Sequence, residues 1–250
     1  MSAKYAVIGD PVEHSLSPDM QNAALRALGI DATYEAVLVP RDALPEALDR
    51  LRSEYAGFNV TTPLKEVIVP HLDAVTDVAA SVLAVNTVRV EKHRLTGHNT
   101  DGLGFVAALA DKWHIVARGK SVCVLGSGPV ARAIAYALGH AGVGHIACWS
   151  RNPLTAAQIG PQPDSRPDLL VSALPADAVI PDEVIEAISG ATYVFDVNYR
   201  AERSPVPASI GTHRSDGLPL LLHQGAIAFA WWLGVDAPLP AMRAALERWT

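Results

Sequence analysis

The sequence contains little cysteine, no basic run and no long apolar run, and each shortage excludes a class of protein. Cys123 and Cys148 are the only cysteines; their spacing suits neither a disulfide framework nor a zinc site, and we expect two buried free thiols. No uninterrupted apolar run approaches the roughly 20 residues of a membrane helix. The net charge of −6, without a cluster of lysine and arginine, provides no positive field for nucleic acid or an anionic membrane.

Two further absences concern metal binding and targeting. The nine histidines show no H-x-x-x-H or comparable ligand spacing, so we expect no metal site. The first five residues lead directly into a predicted strand, which leaves no room for a signal peptide. We therefore expect a cytoplasmic protein, monomeric or homodimeric, whose partner is a small molecule rather than nucleic acid or a membrane.

Half of the 250 residues are hydrophobic and only 18% are charged, so the chain can bury a sizeable core in one domain or two. Short apolar runs alternate with helical patterns, which predicts an α/β fold. We expect strands at residues 5–8, 33–39, 57–60, 85–90, 94–97, 120–125, 145–149, 169–173 and 193–197. Helices are expected at residues 17–28, 43–55, 220–233 and 240–249, from residue 64, and from the glycine turn to about 141. The chain should change domain near Gly102: residues 1–102 form one domain with the helices of 220–250, and residues 103–219 form a Rossmann-like domain.

A glycine-rich turn stands between a predicted strand and a predicted helix. Gly126-Ser127-Gly128-Pro129-Val130-Ala131 fits the pattern G-x-G-x-x-A, which lets backbone N–H groups at a helix N-terminus approach a pyrophosphate. A purely structural strand-to-helix turn is the alternative. Pro129 removes one N–H but is tolerated in a helix's first turn. We expect Gly126, Ser127, Gly128, Pro129 and Val130 to contact a dinucleotide.

The segment Ser150-Arg151-Asn152 follows the second strand of this unit, where an NAD site places an acid on the ribose 2′-hydroxyl. Arg151 cannot accept that hydrogen bond, but its guanidinium can pair with the 2′-phosphate of NADP. A solvent-facing arginine is the alternative. Because residues 153–155 add no second base, we predict a moderate preference for NADP over NAD.

A polar cluster ends an apolar strand in the first half of the chain. Asn59 and Thr61 precede Lys65, and a lysine in the first turn of a helix is unfavourable because that end of the dipole attracts anions. Exposure of Lys65 to solvent is one explanation. The other is a nearby carboxylate, for which Asp101 is the candidate. A Lys–Asp pair beside a nicotinamide site supplies what reduction of a ketone needs, since a cation or acid meets the charge that grows on oxygen.

Other polar side chains stand where a core would be apolar. Ser15 and Ser17 flank Leu16, so both hydroxyls can face a carboxylate beside a helix N-terminus, although capping by Ser17 would explain one of them. Asn86 follows two apolar residues, and Gln224 heads an apolar helical turn. Each of these amides is either a hydrogen-bonded core group or a substrate ligand.

Six motifs, in order along the chain, resemble blocks of the shikimate dehydrogenase family. They are His14-Ser15-Leu16-Ser17-Pro18, the run 59–65, Ala84-Val85-Asn86-Thr87, Asn99-Thr100-Asp101-Gly102, Gly126-Ser127-Gly128, and Asp216-Gly217-Leu218 with Gln224-Gly225-Ala226. The resemblance implies NADPH-dependent reduction of 3-dehydroshikimate to shikimate, with Lys65 and Asp101 as the catalytic residues. It assigns the substrate to Ser15, Ser17, Asn59, Thr61, Asn86, Tyr199 and Gln224. Besides the glycine turn, it assigns five further residues to the cofactor: Asp77, Ser150, Arg151, Asn152 and Gly217.

The chain departs from the family's pattern at three places. Leu83 stands where a glycine usually precedes Ala-Val-Asn-Thr, Ser172 opens a segment that usually begins Asn-Ala-Thr, and the segment after Tyr199 lacks a proline. Two alternatives to shikimate dehydrogenase stay open. One is a paralogue that acts on quinate or an amino-substituted shikimate, and the other is a non-catalytic nucleotide-binding sensor.

Overall fold

The computed structural model describes residues 2–199 and 204–249. These residues form two compact units. One holds the described residues up to Gly104 and from Leu221 onward, and the other is Phe105–Leu220. The first unit is built on a six-stranded mixed sheet and the second on a five-stranded parallel sheet, so the α/β class predicted from the sequence is confirmed.

The first unit alternates strands and helices before it ends in a hairpin. Its elements are β1 (Ala3–Gly9), α1 (Ser17–Ala27), β2 (Ala32–Leu38), α2 (Leu44–Glu54), β3 (Gly57–Val60), α3 (Leu64–Val67), β4 (Ala74–Val75), α4 (Asp77–Val82), β5 (Thr87–Glu91) and β6 (Arg94–His98). The strand order is β2-β1-β3-β5-β6-β4, with β1 parallel to both β2 and β3. Neighbouring parallel strands β1 and β3 therefore present their carboxyl ends, and the loops that follow, at one edge.

The strands β5 and β6 form a two-residue hairpin. Thr87 pairs with His98 at its open end, and Lys92 and His93 make the turn with φ of 50° and 63°. Positive φ at both turn residues is the type I′ geometry, which matches the twist of paired strands.

The second unit is a doubly wound parallel sheet. After α5 (Asp101–Trp113) come β7 (Ser121–Leu125), α6 (Pro129–His140), β8 (His145–Trp149), α7 (Pro153–Ala156), β9 (Leu169–Ser172), α8 (Asp182–Ile188), β10 (Tyr193–Asp196) and β11 (His213–Ser215). The order β8-β7-β9-β10-β11 reverses its direction between β7 and β9. Nucleotides bind parallel sheets at such a switch point, outside the carboxyl ends of the strands.

The chain returns to the first unit through α9 (Leu218–Leu233) and ends with α10 (Leu239–Leu246). The Trp232 indole N–H of α9 donates a hydrogen bond to the Val88 carbonyl oxygen at 2.9 Å. This approach depends on Gly57, because a Cβ there would lie 2.6 Å from the Trp232 Nε1 atom. A glycine in β3 thus lets α9 pack on the sheet.

The predicted strands and helices are present, with the bounds of β3 and β8 as predicted and the others shifted by a few residues. Cys123 and Cys148 are buried free thiols on adjacent strands, as predicted. One prediction is wrong: Ser17 does not cap α1 but is its first helical residue, and no side chain caps that helix. The sequence analysis also did not predict that a helix begins at Asp101.

Candidate active site

The structure brings the two predicted catalytic side chains into contact. The Lys65 Nζ atom lies 2.7 Å from the Asp101 Oδ2 atom, and the side chains are 12% and 6% exposed. Asp101 begins the 13-residue helix α5, where the dipole stabilises a carboxylate. Helix α3 has only four residues, so its dipole matters little to Lys65. The pairing with Asp101 is therefore the stronger account of a largely buried lysine.

Asn86 fixes the orientation of the Asp101 carboxylate. Its Nδ2 group donates to Asp101 Oδ1 at 2.8 Å and to Thr100 Oγ1 at 2.9 Å, while its Oδ1 atom accepts from the Thr100 backbone N–H at 2.9 Å. The residue is 2% exposed. Both amide hydrogens are thus donated within the protein, which makes Asn86 a support for Asp101. Its further role as a substrate ligand stays a prediction.

Asn59 is also held by the protein's own groups. Its Oδ1 atom accepts from the Tyr34 hydroxyl at 2.6 Å, and its Nδ2 group donates to the Asn86 carbonyl at 3.1 Å and to Thr87 Oγ1 at 3.0 Å. These bonds join the end of β3 to the start of β5. Asn59 therefore braces the two strand ends that carry the polar cluster, and its contact with substrate stays a prediction.

Gln224 reaches the same cluster from α9. Its Oε1 atom lies 3.4 Å from Asn86 Nδ2, and its Nε2 group donates to the Leu221 carbonyl at 2.9 Å. The helices α5 and α9 approach closely here, since a Cβ on Gly104 would lie 2.6 Å from the Gln224 backbone nitrogen. Gly104 was not singled out from the sequence, although it stands three residues after Asp101.

The loops after β1 and β3 carry the remaining predicted substrate ligands of the first unit. The Thr61 backbone N–H donates to the Ile8 carbonyl at 2.9 Å. Ser15 is half-buried, and its hydroxyl oxygen accepts from the Ser17 backbone N–H at 3.3 Å. Ser15 thus provides the turn-forming contact that had been expected of Ser17.

Asn99 is a positioning residue that the sequence analysis did not assign. Its Oδ1 atom accepts from the Asp101 backbone N–H at 3.0 Å, and its Nδ2 group donates to the Ala84 carbonyl at 3.0 Å. Its place two residues before Asp101, in a fully buried segment, is the signal that identifies it.

The glycine turn of the second unit fits a dinucleotide. Gly126 has φ 109°, and a Cβ there would lie 2.8 Å from the Ala173 carbonyl oxygen, so the protein itself requires glycine. Gly128 caps α6 with φ −72°, and a Cβ there would meet nothing within 4 Å. The protein leaves open space beside Gly128, as a backbone that receives a pyrophosphate must. Pro129 is the first residue of α6 and Val130 packs against the core below.

The predicted adenosine end of the site is rich in hydroxyls. Ser127 Oγ donates to Ser150 Oγ at 2.8 Å, and Arg151 is exposed directly after β8. Asn152 caps α7, with its Oδ1 atom accepting from the Leu154 backbone N–H at 3.1 Å. The amide oxygen of Asn152 is therefore already engaged.

Three predicted residues lie apart from these clusters. Asp77 is exposed in the first turn of α4 in the first unit. Tyr199 is half-buried in the second unit, and the departure from the family's pattern at Arg200-Ala201-Glu202 lies outside the described residues. The fold itself requires glycine at position 217, because a Cβ there would lie 2.0 Å from the Val197 carbonyl oxygen.

Comparison with known proteins gives this arrangement its context. Residues 7–88 match the family model of the shikimate dehydrogenase substrate binding domain, and residues 217–247 match that of the shikimate 5′-dehydrogenase C-terminal domain. The chain is 36% identical to the shikimate dehydrogenase (NADP(+)) of Desulfitobacterium hafniense strain Y51, over 98% of each protein. The chain belongs to the shikimate dehydrogenase family.

Solved structures of similar proteins agree with this family membership. Shikimate 5-dehydrogenase from Thermus thermophilus, in complex with NADP(H) and shikimate, has a TM-score of 0.88 at 36% identity, with 98% of this chain and 99% of that chain covered. The 5-ketofructose reductase of Gluconobacter sp. strain CHM43 has a TM-score of 0.85 at 29% identity, with 100% and 99% covered.

At Leu83, where the family's pattern led us to expect glycine, the backbone conformation favours glycine. Leu83 ends α4 with φ 53° and ψ 38°, in the left-handed region that favours glycine, and its side chain is 66% exposed. The chain keeps the turn and accepts the backbone cost.

Within residues 2–199 and 204–249, no helix is long and apolar enough to cross a membrane, and no three His, Cys, Asp or Glu side chains group as they would around a metal ion.

Proposed function

We propose that this protein catalyses the reversible, NADP-dependent reduction of 3-dehydroshikimate to shikimate in the pathway to aromatic amino acids. The observation that carries the proposal is the Lys65–Asp101 pair at 2.7 Å, in a chain of the shikimate dehydrogenase family. The protein is an NADP-dependent oxidoreductase that acts on a CH–OH group of a small molecule. Following the sequence analysis, we place it in the cytoplasm as a monomer or homodimer.

NADPH, when bound, supplies a hydride to the carbonyl carbon of the substrate. Lys65 holds a proton at Nζ, which passes to the carbonyl oxygen as that oxygen gains negative charge. The Asp101 carboxylate keeps the ammonium ion oriented through Oδ2, while Asn86 holds Oδ1. In the reverse direction, Lys65 takes the proton from the shikimate hydroxyl, and Asp101 stabilises the ammonium ion that results.

The ring of the substrate is positioned by the hydroxyls and amides that surround this pair. We assign its carboxylate to Ser15, Ser17 and Tyr199, and its hydroxyls to Thr61, Asn86 and Gln224. Thr61 and Lys65 follow the carboxyl end of β3, which explains why the loop after this strand is polar. Asn59 links the ends of β3 and β5 next to this loop.

The cofactor is assigned to the second unit. The backbone of Gly126, Ser127 and Gly128 faces the pyrophosphate at the N-terminus of the 12-residue helix α6. Arg151 pairs with the 2′-phosphate, beside Ser150 and Asn152. Asp77 and Gly217 remain assigned to the cofactor on the family resemblance.

The catalytic assignment is tested by three substitutions and steady-state kinetics. Lys65→Ala should lower kcat by roughly 10²-fold or more, the usual loss of a general acid–base group. Lys65→Arg keeps a fixed cation but donates a proton poorly, so it should remain nearly as slow. Asp101→Asn preserves the shape and Asn86 contact but not the charge, and should also cripple turnover.

The outcomes distinguish proton transfer by Lys65 from the effect of its charge alone. Full activity of Lys65→Arg would show that Lys65 acts only as a fixed cation, and near-normal kcat of Lys65→Ala would refute the mechanism. Shikimate KM should change far less than kcat in both variants, because the ring-binding residues are untouched.

Two alternatives are separated by a substrate panel. The panel should include shikimate, quinate, an amino-substituted shikimate and 5-ketofructose, the last because a reductase with that name shares the fold. Higher kcat/KM for any of the others would replace shikimate as the substrate. Cofactor binding without turnover of any of them would identify a nucleotide-binding sensor instead.

A further inference from the structure

A buried glutamine joins helix α1 to helix α9. The Gln21 Nε2 group donates a hydrogen bond to the Gly225 carbonyl oxygen at 2.9 Å, across 204 positions of the chain, and Gln21 is 1% exposed. The two helices cross closely at this point, because a Cβ on Gly225 would lie 2.3 Å from the Met20 Cε atom. Gln21 therefore holds the backbone of α9 directly beside Gln224, the residue that reaches Asn86.

This contact leaves the other polar atom of the Gln21 side chain without a partner. The Gln21 Oε1 atom is buried and accepts no hydrogen bond from any residue that the structure describes. Exchanging the two ends of the amide would set Oε1 against the Gly225 carbonyl oxygen, and two acceptors repel each other. A buried oxygen without a donor typically costs more than one neutral hydrogen bond contributes. Buried polar atoms are nearly always paired, so this oxygen needs an explanation.

The Gly225 carbonyl group does not require Gln21 either. Gly225 lies in the middle of α9, where a carbonyl oxygen accepts from the backbone N–H group four residues later. An apolar side chain at position 21 would therefore leave no backbone group unsatisfied. The fold would lose one neutral hydrogen bond and would also lose one unpaired oxygen, so stability alone does not account for an amide at position 21.

We propose that Gln21 is a positioning residue for the substrate, which fixes α9 against α1 so that Gln224 keeps its place in the site. This inference rests on the proposed assignment of Gln224 to the hydroxyls of shikimate. Ser15 and Ser17, which are assigned to the carboxylate of the substrate, lie at the N-terminal end of α1. The hydrogen bond from Gln21 thus helps to set the distance between the groups that hold the carboxylate and those that hold the hydroxyls, and binding of a rigid ring is sensitive to that distance.

The main test combines steady-state kinetics with unfolding in urea. Gln21→Met keeps the length of the side chain but removes both the donor and the unpaired oxygen, so the urea midpoint should stay the same or rise. The KM for shikimate should rise about 2- to 13-fold, the factor by which one neutral hydrogen bond can shift the population of α9 in its binding position. The KM for NADP should change by less than about twofold.

A double-mutant cycle shows whether Gln21 acts through Gln224. In a protein that already carries Gln224→Ala, adding Gln21→Met should change the shikimate KM by less than about twofold, because the side chain to be positioned is absent. General support of α1 would instead give the same loss in both backgrounds. Met20→Leu is the matched control: it alters the packing at the same crossing but keeps the hydrogen bond, and it should leave the shikimate KM within about twofold.

Three results would overturn the proposal. A lower urea midpoint of Gln21→Met would make Gln21 a structural residue, an unchanged shikimate KM would remove its effect on binding, and an equal loss with and without the Gln224 side chain would show that it acts elsewhere. Failure of the proposed function is a separate result, because it is seen in the unmutated protein. If that protein turns over another member of the substrate panel in place of shikimate, only the proposed function is refuted, and the same cycle is measured with that substrate.

Discussion

The two glycines of the nucleotide turn should respond oppositely to the same substitution. Gly128 has an ordinary φ of −72° and an empty space where a Cβ would go, so Gly128→Ala should leave the free protein as stable or stabilise it by about 0.4–1 kcal/mol. Gly126 has φ 109° and the Ala173 carbonyl in the way. Gly126→Ala should therefore cost at least about 1–2 kcal/mol.

For cofactor binding, Gly128→Ala should be the more damaging of the two substitutions. With the pyrophosphate placed against Gly128, as proposed, a methyl group there should hold it away from the backbone. The loss of one charge-assisted hydrogen bond corresponds to about 1.5–3 kcal/mol, or roughly 10- to 150-fold in Kd. At 100 times the original Kd, NADPH stabilises the native protein by about 2.7 kcal/mol. In Gly128→Ala that stabilisation should fall to between about 0.3 and 1.4 kcal/mol.

The assay is urea unfolding of each variant with and without NADPH at one fixed concentration. Gly128→Ala should match the unmutated protein without the cofactor and lose most of the added stability with it. Undiminished stabilisation by NADPH in this variant would refute the placement of the pyrophosphate against Gly128. A destabilised free protein would refute the claim that the protein itself has no need of glycine there.

Three further predictions concern other parts of the chain. Gly104→Ala forces α5 and α9 apart, so the free energy of unfolding should fall by about 1–3 kcal/mol. The KM for shikimate should rise because Gln224 moves, and the KM for NADP is the control. An unchanged shikimate KM would contradict this. Leu83→Gly should be about 1 kcal/mol more stable to urea than Leu83→Ala, because both lose the side chain and only glycine relieves the left-handed backbone; equal stability of the two is the contrary result. Burial raises the pKa of Cys123 and Cys148 to about 12, so at pH 8 only about 10⁻⁴ of each thiol is ionised, and both should react with a disulfide reagent only after unfolding; rapid labelling of the native protein would disprove their burial.

Local sequence signals predicted the framework well. Strand β3 is bounded by Gly57 and by the polar residues after Val60, and its predicted bounds are those of the structure. The bounds of such a strand have their cause within a few residues, so the sequence alone reveals them. The pairing of Lys65 with Asp101, across 36 positions, was expected mainly from the resemblance to the family, since the four-residue α3 weakens the electrostatic argument.

Tertiary contacts decided what the sequence analysis did not foresee. The sequence analysis predicted no helix at Gly102 and Gly104, yet both lie inside α5, and the close approach of α9 needs a residue without a side chain at 104. The hydrogen bonds of the Asn86 amide likewise depend on partners at positions 87, 100 and 101. Neither fact is visible until residues from different elements are brought together.

The short turn at Lys92 and His93 has a consequence for the reaction although it carries no chemistry. Asn86 directly precedes β5 and Asp101 lies three residues after the end of β6, so the length of the hairpin between them sets the contact of Asn86 with Asp101. A one-residue slip of this ladder would turn every side chain of one strand to the other face and carry Asp101 along the strand, away from Asn86. The length of the hairpin therefore matters more to the contact of Asn86 with Asp101 than the two side chains of its turn do.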